Sequence, residues 1–154
     1  MSNPRGLANH SLYMARLLLA AWETAQTAAV APVNAIDAAF APAVRLHLLD
    51  AYGWFLLATL RVTQLPALPP HRVADLAPQA PGISRPAEIS ECQQLELSGW
   101  LAQLQAPLPT GLAKRSRGIS LAIDSAYPDI TLYRGCAAHF DVLFARMSDA
   151  IDEY

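Results

Sequence analysis

The chain of 154 residues has a single lysine, Lys114, two cysteines, four histidines and only 16% charged residues. Each shortage closes a class of function. Eleven basic against thirteen acidic residues give a formal net charge of −2, whereas a domain built for general nucleic-acid binding carries a basic surplus. Cys92 and Cys136 are far apart and in no Cys-x-x-Cys arrangement, which excludes a disulfide-stapled scaffold and a zinc knuckle. Two half-buried, free thiols in a reducing cytoplasm are expected instead. The longest apolar runs, residues 17–22 and 51–60, are shorter than the roughly 18–20 residues that cross a bilayer. The first ten residues lack a basic stretch joined to an apolar core, so no secretory signal is expected. These readings lead to a soluble, cytoplasmic chain with no membrane partner.

Hydrophobic residues, by contrast, make up 53% of the chain, too many for a disordered one. A single domain of this length buries about 68–70% of its extended surface and needs no metal to hold together. Arginine exceeds lysine ten to one and alanine is abundant. That bias fits a GC-rich bacterial genome better than a phosphate-binding role. Lys114, Arg115 and Arg117 form the one basic cluster. Without interleaved aromatics it reads as a solvated loop.

Hydrophobic periodicity predicts four principal helices. In residues 7–27, Asn9, Arg16, Glu23 and Thr27 share one polar stripe, and Leu12, Met14, Leu17, Leu18, Leu19 and Trp22 fill much of the rest. A helix apolar around that much of its surface packs against more than one neighbour. Residues 34–64 form the second helix, with Asn34 as N-cap, Asp37 in the first turn and a kink near Pro42. One stripe of this helix holds Val44, Leu48, Ala51 and Phe55, and an opposed one holds Leu49, Gly53, Leu56 and Leu60. Two opposed apolar stripes make it the central element, gripped from both sides. Half of the twelve prolines then fall in residues 65–86, a connector with one helical turn near residues 71–76. A third helix, residues 87–105, opens at Pro86 and carries Ile89, Leu97, Trp100, Leu101 and Leu104 on its apolar face. Residues 106–128 form a second connector. Leu132, Cys136, Phe140, Leu143, Met147 and Ile151 then recur at helical steps over residues 129–152. A hairpin of residues 119–123 with 130–133 is the weaker alternative. The predicted fold is all-α: a single-domain antiparallel bundle of four principal helices with proline-rich connectors.

Candidate chemistry is sparse. His47, Asp50, Trp54 and Arg61 share a polar stripe of the central helix and are the candidate binding residues. A His–Asp pair one turn apart can orient an imidazole or hold a metal, but a di-metal bundle needs Glu-x-x-His pairs, and the chain has none. No metal or other cofactor is expected. Trp54, an aromatic between charges, reads as a contact hot spot or as a side chain covered by the 65–86 connector. Trp22 and Trp100 read as core residues. Ser11 and Ser98 have no His or Asp companion at a telling spacing. Arg134-Gly-Cys-Ala-Ala-His139 resembles the Arg-x4-His signature of the HEPN ribonucleases, small helical bundles that cleave RNA without a metal across a two-fold interface. The resemblance implies Arg134 and His139 as catalytic residues, although Arg5 and His10 repeat the spacing.

Asn9-His-Ser-Leu-Tyr-Met-Ala-Arg-Leu and Arg45-Leu-His-Leu-Leu-Asp-Ala-Tyr, followed by Trp100-Leu101, resemble a gammaproteobacterial family of short uncharacterised proteins, a domain of unknown function. The resemblance covers roughly the first 105 residues. It implies a small helical cytoplasmic protein and points to Asn9, Tyr13 and His47. The resulting expectation is a non-enzymatic interaction or accessory protein that binds a protein partner or itself. The alternatives are a HEPN-like ribonuclease and a bundle that binds a small apolar ligand in a cavity beside the central helix.

Overall fold

The computed structural model describes residues 3–110 and 127–152, which form five α-helices and one 3₁₀ turn, with no strand among the described residues. In chain order these are α1 (Pro4–Thr27), α2 (Val33–Thr59), the 3₁₀ turn (Val73–Asp75), α3 (Ala87–Ser98), α4 (Trp100–Gln105) and α5 (Ile130–Asp152). The all-α class follows the predicted periodicities. The cluster Lys114, Arg115 and Arg117 and residues 119–123 lie outside the described residues. Residues 130–133, the second arm of the hairpin alternative, open α5 as helix.

Helix α1 starts one turn before the predicted boundary. Asn3 caps it by accepting a bond from Gly6 N–H at 2.6 Å, and Pro4 takes the first helical position, where a missing N–H costs nothing. The stripe Asn9, Arg16, Glu23 and Thr27 is exposed, while Ala8, Leu12, Ala15, Leu19 and Trp22 are buried. That buried face packs most extensively on α2 and also meets α5. Arg16 pairs with Asp141 and Glu23 with Arg134, so α1 and α5 run antiparallel.

Helix α2 is the hub. Apart from Asp50, every residue from Leu48 to Leu57 is buried, and the helix meets α1, α3, α4 and α5. It runs unbroken through Pro42, whose ring faces solvent. Its ends differ from the predicted ones. Pro32, not Asn34, is the N-cap, which moves Asp37 beyond the first turn and into the core. There Asp37 Oδ1 accepts bonds from Trp22 Nε1 at 3.0 Å and Gln26 Nε2 at 3.2 Å. The helix stops at Thr59 rather than at residue 64. Arg61 N–H donates to Ala58 O at 3.1 Å and Val62 N–H to Leu57 O at 3.0 Å, a Schellman closure with Arg61 at φ +55°. Helix α1 closes the same way on Ala29, at φ +48°.

The predicted helix 87–105 is two helices. Gly99 is extended, and a Cβ there would lie 2.7 Å from Leu95 Cδ2. The break rotates α4 relative to α3. Leu97, expected on the apolar face, is consequently 72% exposed, while Ile89, Cys92, Leu101 and Leu104 are buried. Along α5, Cys136, Phe140 and Leu143 are buried as the spacing predicts, and Phe140 meets Trp100 edge-on at 4.8 Å between centroids.

Two substitutions test this backbone. A Cβ at Gly53 would fall 1.9 Å from Pro70 O, so Gly53→Ala is expected to cost about 2–3 kcal/mol in urea unfolding. Ala29→Gly is expected to stabilise by about 0.5–1 kcal/mol, because glycine removes the left-handed penalty and returns part of the gain as chain entropy.

Candidate functional site

Residues 60–86 form a strap that leaves the end of α2, doubles back over the helix and enters α3. Its register is set at Gly53, where Pro69 and Pro70 sit against the backbone in the space a side chain would fill. Three polar contacts, at the His71 ring, the His71 carbonyl and the Val73 amide, stitch the strap down. His71 Nε2 lies 2.8 Å from Asp50 Oδ1; opposite a carboxylate acceptor, that nitrogen carries the proton. Gln105 Nε2 donates to His71 O at 2.8 Å. Glu96 Oε1 accepts from Val73 N–H at 2.9 Å and from the Tyr52 hydroxyl at 2.6 Å. Arg45 binds the last carbonyls of α4, Leu104 O and Gln105 O, where the helix dipole favours a cation.

Between the strap and α2 runs a groove of about 1080 Å³. Leu46 and Leu57 line it from α2, and Leu60, Val62, Leu65, Leu68 and Leu76 line it from the strap. Asp50, His71 and Asp75 are its ionisable residues. It opens to solvent, as the 51% and 81% exposure of Leu46 and Leu68 shows. A second hollow of about 570 Å³ adjoins it at Leu60, Gln79 and Ile83. That hollow has Phe55, Cys92 and Leu143 in its lining and is edged by Arg61, Glu88, Glu91 and Arg146, with Arg146 bonded to Glu91 at 2.9 Å.

The four predicted stripe residues do not share one surface. Trp54 is buried, His47 is half-buried, Asp50 lines the groove, and Arg61 stands beyond the end of α2 at the second hollow. Asn9 and Tyr13 are exposed on α1, which contributes to neither hollow. Arg134 and His139 point to different neighbours. Arg134 pairs with Glu23 of α1, and His139 stacks on Trp100 of α4 at 4.9 Å and 10°. Within the chain the two side chains therefore engage different helices, α1 and α4. Among the described residues no group of three or more His, Cys, Asp or Glu is placed to hold a metal.

His71 and Glu96 were not anticipated by sequence reasoning. The available signals were Gly53 inside a helix, where glycine implies close backbone approach, and a histidine directly after Pro69-Pro70.

Burial sets the acid–base character of the interior. The Tyr52 hydroxyl is held far above the phenol range, first by burial and then by its bond to Glu96. Burial pushes the Cys92 thiol up to about 12, with the charges of Glu91 and Glu96 adding to it. Burial likewise raises Tyr133 to about 12 and Cys136 to about 11. Both thiols are fully buried rather than half-buried as expected, so neither is set up as a nucleophile.

Comparison with protein-family models, curated proteins and solved structures gave no significant match. The functional reading therefore rests on the residues themselves.

Removing the Glu96 carboxylate strands the Tyr52 hydroxyl and the Val73 amide together, so Glu96→Ala is expected to cost about 2–3 kcal/mol in urea unfolding. The raised thiols and phenols hold their protons in the fold but lose them in the unfolded chain from about pH 8.5–10 upward. Their stabilising share is complete below that range and is lost as pH rises toward about 11–12. The urea midpoint is expected to fall steadily above about pH 9; a flat profile to pH 12 would contradict the burial assigned to these groups.

Proposed function

We propose that this protein acts by binding rather than by catalysis, as an accessory protein whose groove between α2 and the strap takes up an apolar ligand. The groove itself supports this reading. Its volume of about 1080 Å³ and its leucine- and proline-rich walls suit a ligand pocket, which typically spans about 300–1000 Å³ with a few polar groups fixing orientation. Asp50 and His71 supply such groups. The same pair invites an acid–base reading, but a catalytic dyad would offer its second imidazole nitrogen to a hydroxyl or thiol. Among the described residues no such partner bonds His71, and the Cys92 thiol is directed to Tyr52 instead.

Protein contact, with a partner or a second copy, is the second reading. Tyr13 and Leu17, one turn apart on α1, are 57% and 49% exposed, an aromatic–aliphatic pair of the kind that anchors interfaces.

The neutral fluorophore Nile red separates the two readings. Saturable uptake by the full chain at one molecule per chain is expected, weakened about tenfold or more by Leu46→Glu. That substitution alters a half-exposed groove residue and spares the core. Uptake that is absent, or that responds to Tyr13→Ser and not to Leu46→Glu, would reject the groove in favour of the α1 face.

A further inference from the structure

We infer that the ligand of the α2–strap groove is a small apolar organic cation, an inference that rests on the binding function proposed above. Among the described residues the groove's ionisable groups are Asp50, Asp75 and His71, and none of those residues lining it is a lysine or arginine. The adjoining hollow differs: Arg61 and Arg146 balance Glu88 and Glu91 there. The two hollows share Leu60, Gln79 and Ile83, yet among the described residues the larger sets two carboxylates against apolar walls with His71, paired to Asp50, as its single basic side chain.

The geometry of the two carboxylates gives a cation something to bind. Asp50 projects from the hub helix, and His71 engages its Oδ1 at 2.8 Å. A carboxylate has two acceptor oxygens, so Oδ2 remains for a donor in the groove. Asp75 lies on the 3₁₀ turn and is exposed at the same groove. Charges beside low-dielectric walls interact more strongly than charges in open water. A carboxylate ligand would meet like charge at both positions. A neutral ligand would leave both carboxylates to water, whereas an ammonium or amidinium group would supply N–H donors and charge together. Its apolar body would lie along Leu57, Leu60, Leu65 and Leu76.

The test compares three probes that share one apolar tail: octylammonium, octanol and octanoate. Each is titrated below its micellar concentration into the isotope-labelled full chain and followed by amide NMR. Octylammonium is expected to bind about tenfold tighter than octanol, with octanoate weakest and the shifts centred on Leu57, Leu60 and Leu76. Asp75→Asn, which removes no contact that holds the fold, is expected to bring octylammonium toward octanol and leave octanol unchanged. Asp50→Asn is expected to do the same, with circular dichroism confirming that the strap and helices persist. If octanol or octanoate binds as tightly as octylammonium, or if the preference survives both substitutions, the cation assignment is overturned while the groove reading stands. If none of the three binds, the groove reading fails as well.

Discussion

The rest of the structure depends on the approach of the Pro69–Pro70 backbone to Gly53. With helix α1 on one side of α2 and α5 on another, a third flank of the hub is closed by chain that has no regular structure of its own apart from one 3₁₀ turn. Such a segment is held only where its backbone polar groups find partners. His71 O finds Gln105 and Val73 N–H finds Glu96, while proline at positions 66, 69, 70 and 78 limits the entropy lost on ordering. The absence of a side chain at Gly53 lets the strap come close enough for those bonds to form.

The buried and half-buried polar residues around α2 are parts of the clamp. Tyr52 and Glu96 join α2 to α3, Arg45 joins it to the end of α4, and Asp37 joins its first turns to Trp22 of α1. Each of these side chains is bonded, and among the described residues no buried side-chain nitrogen or oxygen lacks a partner. The groove lies between α2 and a strap that is tied at Gly53, Asp50 and Glu96.

Much of the helical framework was legible in the sequence because it follows from periodicity. Val44, Leu48, Ala51 and Phe55 on one side of α2 and Leu49 and Leu56 on the other are buried as their spacing implies. Trp54, read as a contact residue or as a covered side chain, is buried. The errors lie where local geometry overrides periodicity. Arg61 adopts a left-handed conformation with no glycine to announce it, so α2 ends at Thr59 and not at residue 64. Gly99 splits one apolar repeat into two helices, which turned Leu97 outward. The site was less legible still. Asp50 was identified, but its partner is twenty-one residues away on the strap, and no local spacing rule reports a contact of that separation.

The most direct measurement of the central claim is native-state amide hydrogen exchange across residues 48–57 and at Val73. If α2 is clamped on three flanks, the amides of Leu48 to Leu57 exchange only through global unfolding, with one common free energy, and the Val73 amide is protected although it opens an isolated 3₁₀ turn. Rapid exchange at Val73 together with local opening of Tyr52 to Trp54 would mean that the strap is not bound to the hub, and the groove with its assigned function would go with it.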